Sequence, residues 1–391
     1  MRRLLDELRD AGAASVDEEV LERFEARVRE LRRPPTRPTH VDAVEDREDE
    51  EAEEQLSPGT TVELGRVFVV EDAESEPTLR FDEERSSFVL EAPYGLERTD
   101  PPAIEREPLD PQSVEDLEGR HGADGSRPPH LPVTYRPELT EKVRRYIREG
   151  NDVPEVVFTP DTRYLFRDPS FPWCTAGRVE TAAGTGTGTM IGRRLMVTAG
   201  HNVDWDDDGA GWVKFTPAFH AGDEPFGHAW GTRVVYWERP DASDGLSDQE
   251  TAFDYVVVVL DRNMGDLTGY AGYRTYASAW NDGNYWQQIG YPGDLSGAQR
   301  PAFFSPGSIE SVQSRSTAGQ SGYVMGHFMD TSGGHSGGPY WGWWDDEPWP
   351  RVVGVHSVGA STPGDDTSGD NEAGGGPALS DLIAYARSNY P

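Results

Sequence analysis

The stretch Asp330-Thr331-Ser332-Gly333-Gly334-His335-Ser336-Gly337-Gly338-Pro339 decides how the rest of the chain is read. A serine between glycines can present its hydroxyl and its own backbone N–H to one small volume, because glycine lets the main chain turn sharply and approach a substrate. That combination suits a nucleophile beside an oxyanion hole. Taken alone, the string also fits an ordinary Gly/Ser turn, so the nucleophile reading needs a base, an orienting group and a pocket from elsewhere in the chain.

Two other stretches offer them. Met190-Ile191-Gly192-Arg193-Arg194-Leu195-Met196-Val197-Thr198-Ala199-Gly200-His201 reads as a strand ending in a small-residue turn that delivers one imidazole. An imidazole titrates near neutrality and suits the work of a general base. Phe253-Asp254-Tyr255-Val256-Val257-Val258-Val259-Leu260 places an aspartate at the mouth of an apolar strand. A partly buried carboxylate there needs a donor, and an imidazole N–H would serve. A lone loop histidine would mean little. The order His, Asp, Ser along the chain gives it meaning, being the order of the chymotrypsin arrangement and not that of subtilisin or the α/β-hydrolases.

Together, Thr198-Ala199-Gly200-His201, Phe253-Asp254-Tyr255 and the 330–339 loop resemble the chymotrypsin-like serine proteases, and more narrowly the bacterial glutamyl endopeptidase branch. Met190-Ile191-Gly192, Thr268-Gly269-Tyr270-Ala271-Gly272-Tyr273 and Gly290-Tyr291-Pro292-Gly293-Asp294 support the resemblance, which runs from about Val156 to the C-terminus. It implies His201 as general base, Asp254 as its orienter and Ser336 as nucleophile on a peptide carbonyl, with the N–H groups of Gly334 and Ser336 as the oxyanion hole. In the glutamyl branch a histidine in a strand after the nucleophile, helped by a threonine five residues before the serine, binds the carboxylate of the residue preceding the scissile bond. His356 and Thr331 stand at those positions, and Ser357 is implied either to hydrogen-bond Asp254 or to shape the pocket wall. Read without the resemblance, His356 is equally a structural core histidine.

The expected function is therefore a serine endopeptidase preferring Glu, or Asp, before the scissile bond. The alternatives are a protease of other specificity on the same fold, or a catalytically silent binding module. The chemistry needs no cofactor, and the partners are protein or peptide substrates. The mature relatives begin near Pro154-Glu155-Val156-Val157, which makes Glu155–Val156 a candidate processing bond and the preceding residues an intramolecular pro-region.

The chain also departs from the resemblance. Relatives often carry a disulfide at positions matching Gly186 and Asn202; Cys174 is the sole cysteine, so the histidine loop is expected to be held by packing alone. His335 stands where the branch has a small or amide side chain, and either perturbs the local charge or points to solvent. Gly338 replaces a common serine. The stretch Trp341-Gly342-Trp343-Trp344-Asp345-Asp346-Glu347-Pro348-Trp349 fills core or contacts substrate or the N-terminal region. Asp204-Trp205-Asp206-Asp207-Asp208-Gly209 has the first half of a calcium-loop spacing, but Phe215 occupies the twelfth position where a bidentate Glu belongs. It reads as an acidic turn, and no metal site is assigned.

The 391 residues carry 70 acidic against 36 basic side chains, a net charge of −34 that excludes nucleic acid as a partner. Lysine occurs only at Lys142 and Lys214. An acidic, lysine-poor surface fits either a halophilic protein working at high salt or an ordinary acidic product of a GC-rich genome. No apolar run is long enough to span a membrane. The N-terminus puts charges where a signal peptide needs an apolar run, so the expected location is cytoplasmic unless another route exports the chain.

Residues 1–40 read as an amphipathic helical arm: Ser15-Val16-Asp17-Glu18 is spaced as a capping box, and Val20, Leu21, Phe24, Val28 and Leu31 follow at helical steps. The arm either docks and oligomerises or packs on its own chain. Residues 41–154 form an acidic accessory or pro-region, partly irregular, with short β runs between Val62 and Leu90 and a helix from Glu141 to Arg148. Residues 155–391 are the trypsin-like protease domain. The fold class is mainly β, with two antiparallel β-barrels and a C-terminal helix around Leu379, Leu382, Ile383 and Ala386 that caps the second.

Overall fold

Val256-Val257-Val258-Val259-Leu260 is apolar at every position, which suits a strand buried on both faces. Every one of these residues is buried. Val256, Val258 and Leu260 point into the core of the first β unit with Val179, Met196, Val213 and Phe215. Val257 and Val259 point the other way, into a cluster shared with Trp173, Trp341, Leu379 and Ile383. One strand thus sits at the centre of the molecule and feeds two cores.

The structure is a computed structural model that describes residues 78–82, 87–91, 101–102, 104–142, 161–205, 211–241, 245–344, 347–359 and 370–391. The helical arm, Glu155 and Val156 lie outside the described residues. Of the short β runs expected near the N-terminus, β1 (Thr78–Asp82) and β2 (Ser87–Glu91) form an antiparallel hairpin. Residues 104–142, on the N-terminal side of the boundary placed at 155, contribute β3 (Glu105–Pro108), β4 (Gly122–Ala123) and β5 (Leu139–Lys142), and β6 (Tyr164–Phe166) follows. Within the region read as partly irregular, β3 and β4 both find partner strands. Glu141 and Lys142, expected to begin a helix, instead end β5, because β6 offers them a pairing edge that outweighs local propensity.

The first unit comprises β7 (Ala176–Thr181), β8 (Gly184–Met190), β9 (Leu195–Thr198), β10 (Val213–Pro217), β11 (Ala229–Tyr236) and β12 (Val256–Leu260). Its path β10-β7-β8-β9-β12-β11 closes through β10–β11 pairing into a barrel, and β3 adds to β11 in parallel. The second unit holds β13 (Gly272–Arg274), β14 (Trp286–Gly290), β15 (Ala302–Gly307), β16 (Ile309–Thr317), β17 (Gln320–His327), β18 (Pro339–Gly342), β19 (Arg351–Val358) and β20 (Asn371–Gly375). Its path β16-β17-β20-β19-β18-β14-β15 returns on itself because only Ser308 separates β15 from β16. The architecture is the expected mainly β fold of two units, one a closed six-stranded barrel and the other a larger sheet.

The C-terminal helix (Pro377–Asn389) was expected to cap the second unit. It bridges both instead: Leu379, Leu382, Ile383 and Ala386 join the shared cluster, and the Trp237 indole N–H after β11 donates to the Ala378 carbonyl at 2.8 Å. The Trp-rich stretch fills core, with Trp341 and Trp343 buried.

Candidate active site

The histidine turn follows from the end of β9. After Thr198 the chain makes one short turn, Gly200–Asn202, which projects His201. Asp254 arrives from the other side, just before β12, and is fully buried. Its Oδ1 accepts the His201 backbone N–H at 2.8 Å. Its Oδ2 faces His201 Nδ1 at 2.6 Å and accepts the Ser357 hydroxyl at 2.5 Å. A Cβ on Gly200 would stand 3.0 Å from Asp254 Oδ1 and 3.1 Å from Pro240, so glycine is what lets the turn come this close.

Burial alone would raise the Asp254 pKa, but the His201 charge, the His201 ring and backbone donors and the Ser357 hydroxyl together hold it below the ordinary value. An ionised carboxylate only accepts, so His201 Nδ1 donates, which puts the lone pair of the neutral ring on Nε2.

The 330–339 loop is pressed against this turn. The Ser336 carbonyl accepts from Thr187 N at 2.8 Å and from the Asn202 side-chain amide at 2.9 Å. Gly337, at φ +86°, has no room for a side chain: a Cβ would lie 2.1 Å from the Thr187 carbonyl and 2.2 Å from Thr198 Oγ1. The histidine loop is therefore not held by packing alone, as expected for a chain lacking the disulfide. Asn202 occupies the space beside Gly186 and also donates to Thr198 Oγ1 at 3.0 Å, tying the loop directly to the serine's own carbonyl.

The two N–H groups read as the oxyanion hole are arranged by their peptides. The Gly333 carbonyl accepts from Gly293 N at 2.6 Å, so the N–H on the other side of that trans peptide, Gly334's, points the opposite way. The Gly334 carbonyl is held in turn by the Thr187 hydroxyl at 2.6 Å. Gly334 takes φ +100°, a conformation that favours glycine. Among the described residues neither the Gly334 N–H nor the Ser336 N–H is engaged by a protein acceptor.

The pocket candidates lie in the second unit. Thr331 and His356 are buried, and among the described residues Thr331 Oγ1 and His356 Nε2 find no hydrogen-bond partner. Behind His356 runs a chain of contacts invisible in the sequence. Its Nδ1 lies 3.0 Å from the Tyr340 hydroxyl, which lies 2.5 Å from His327 Nε2. His327 Nδ1 accepts the Met329 N–H at 3.2 Å. That one backbone donor sets the direction of the whole chain: His327 must carry its proton on Nε2 and donate to Tyr340, Tyr340 donates to His356 Nδ1, and His356 Nε2–H is left as a donor. Burial, aided by the His201 charge, pushes His356 down to about 3, and burial pushes His327 well below the ordinary histidine value.

His335 does not point to solvent. It is fully buried, and a Cβ on Gly290 would fall 2.2 Å from its Cδ2, so it occupies space that a glycine leaves. Its Nδ1 lies 3.0 Å from Ser332 N and 2.9 Å from Ser332 O, bracing the loop from within. Burial first, then the charges of Arg163, His356 and His327, drive its pKa well down. Ser357 takes the first of its two expected roles, donating to Asp254. Phe215 is a buried core residue on β10, and positions 206–209 of the acidic turn lie outside the described residues. Among the described residues no three His, Cys, Asp or Glu side chains gather where they could hold a metal ion.

No family model matches the sequence. A glutamyl endopeptidase from Bacillus licheniformis is 26% identical over 189 residues, covering 48% of this chain and 54% of that protein. An extracellular metalloprotease of Bacillus subtilis is 25% identical over 177 residues, covering 45% of this chain and 51% of that protein. The chain thus spans about half the length of the curated relatives it matches. Among solved structures, a Glu endopeptidase in complex with MPD is 21% identical with a TM-score of 0.45, over 60% of this chain and all of that one. The protease Anisep from Arthrobacter nicotinovorans is 15% identical with a TM-score of 0.38, over 56% and 96%. In sequence, the chain resembles the chymotrypsin-like serine proteases and, among them, a bacterial glutamyl endopeptidase.

Proposed function

We propose that this chain is a serine endopeptidase that cleaves after Glu, or Asp. The observation that carries the reading is the meeting of three distant segments: Asp254 grips His201 at 2.6 Å, while the loop of Ser336 is fastened to the same histidine turn through Asn202 at 2.9 Å. In this mechanism His201 Nε2 takes the Ser336 hydroxyl proton as Oγ attacks the peptide carbonyl carbon. The oxygen that gains charge is received by the N–H groups of Gly334 and Ser336. His201 then gives its proton to the leaving amine, and a water, deprotonated by the same nitrogen, releases the acyl group. Asp254 steadies the imidazolium in between.

The preference for an acidic side chain is supported by the unpartnered polar atoms of Thr331 and His356. Buried donors left unmade are costly, and a carboxylate entering between them would satisfy both. The same preference would make Glu155–Val156 a bond the protease can cut in its own chain. The reading is tested with a fluorophosphonate probe on the full chain: labelling is expected at Ser336 and abolished in Ser336→Ala, and no Ser336-dependent labelling at any salt concentration would remove it.

A further inference from the structure

The strongest polar cluster outside the proposed triad and pocket lies just upstream of β6, in Asp161-Thr162-Arg163. The Arg163 side chain is fully buried and its guanidinium uses all of its N–H donors. Nε donates to Asp161 Oδ1 at 3.1 Å, and Nη2 donates to Asp161 Oδ2 at 2.9 Å and Asp294 Oδ2 at 2.7 Å. Nη1 donates to Asp294 Oδ1 at 3.2 Å and to Ser332 Oγ at 2.8 Å. Ser332 Oγ in turn donates to Asp294 Oδ1. The neighbouring Thr162 gives both its N–H and its hydroxyl to Asp330 Oδ2, at 2.9 and 2.8 Å. Two consecutive residues thus grasp Asp330 and Ser332 at the start of the serine loop and Asp294 alongside it, with Asp161 bracing Arg163 from behind.

Asp294 is the residue after Gly293, whose N–H fixes the Gly333 carbonyl at 2.6 Å and so turns the Gly334 N–H outward. We propose that Arg163 is a positioning residue for the oxyanion hole: by clamping Asp294 and Ser332 from both oxygens and the hydroxyl, it holds the Gly333–Gly334 peptide in the orientation that presents the Gly334 N–H. The planar, forked guanidinium matters because it meets two carboxylates and a hydroxyl at once, which an ammonium does not. Arg163 touches neither substrate nor reacting atoms; its effect runs through Asp294, Gly293 and Gly333. The inference rests on the protease reading above.

The test compares wild type with Arg163→Lys, Arg163→Met and Asp294→Asn on a peptide amide substrate, recording kcat and KM separately, together with inhibition by a peptide aldehyde, whose adduct carries an oxyanion, and by the cleaved peptide acid, which does not. Losing one preorganised donor in such a hole costs about 10²–10³ in kcat. A fall of about that size in kcat is expected for Arg163→Met, with KM within about threefold, aldehyde affinity weakened in parallel and product affinity retained; Arg163→Lys should recover part of it. Arg163→Met leaves two carboxylates without their cation and risks misfolding. If its near-ultraviolet circular dichroism is lost, the decision passes to Arg163→Lys and the isosteric Asp294→Asn, which keeps Arg163 paired to Asp161. Folded variants with wild-type kcat, or with kcat and product affinity lost together, overturn the proposal. Wild-type protein that neither turns over substrate nor labels at Ser336 overturns the protease reading and the Arg163 role with it, whereas active wild type with unaffected variants overturns the Arg163 role alone.

Discussion

The two β units bury polar groups around the proposed triad and give them different electrostatics. The barrel half holds a charge: Asp254 is fully buried yet stays ionised, because its ring, backbone and hydroxyl donors outweigh its desolvation. The other half keeps its buried histidines uncharged: His327, His335 and His356 are all pushed down by burial. The difference matches what the proposed function would ask of each half. A fixed negative charge is useful beside a nitrogen that must become cationic for a moment. A neutral, directed donor is useful where an anionic side chain must enter without displacing a resident counter-ion.

The comparison is broken most directly by removing the charge from the barrel half. Asp254→Asn keeps the shape but presents an amide where a carboxylate set the tautomer, and kcat for peptide hydrolysis should fall about 10⁴-fold at pH 7. A fall of less than about tenfold would show that the carboxylate does not orient His201. A smaller effect is expected from the other half. His356→Ala removes the directed donor, and the loss of a hydrogen bond to a charged group, about 1.5–3 kcal/mol, corresponds to roughly ten- to a hundredfold in kcat/KM for Glu-containing peptides. Cleavage of matched Gln peptides should change far less. Equal losses on both would mean that His356 is structural.

The sequence made one side of this comparison far easier to read than the other. His201, Asp254 and Ser336 each sit in a short local string, and the continuous apolar run at Val256–Leu260 announces a strand buried on both faces. Arg163 announces nothing, and Asp294, although it closes the Gly290–Asp294 string, gives no sign of its partner, since their contact joins positions 131 residues apart. His335 was open between perturbing the charge and facing solvent because the space it fills is made by a missing side chain, that of Gly290 on a different strand. The amphipathic pattern of the last helix shows that it has an apolar face; which elements that face covers depends on where β11 and β17 come to lie, and it lies on both units.

The smallest effect is the most discriminating, because it separates the halves by pH. A histidine whose folded pKa is depressed binds fewer protons in the native state than in the unfolded chain throughout the interval between the two values. Its contribution to stability is complete above the unfolded value of 6.5 and is lost progressively as the pH falls towards the folded value, about 3 for His356. Asp254 is also depressed, so its contribution likewise disappears with acid, but only below its ordinary value of 3.8. Between about pH 6.5 and 4.5 the histidine half therefore loses stability while Asp254 contributes no slope. Urea midpoints measured across that interval should fall with pH, less steeply in His335→Asn, by up to one proton's uptake on unfolding, and with unchanged slope in Asp254→Asn. An identical slope in wild type and His335→Asn would mean that His335 is not held neutral in the fold. A steeper slope in Asp254→Asn would mean that the two halves are not electrostatically separate: the Asp254 charge, which raises the His356 pKa while the His201 charge lowers it, would then be reaching the histidines strongly enough to set their acid response.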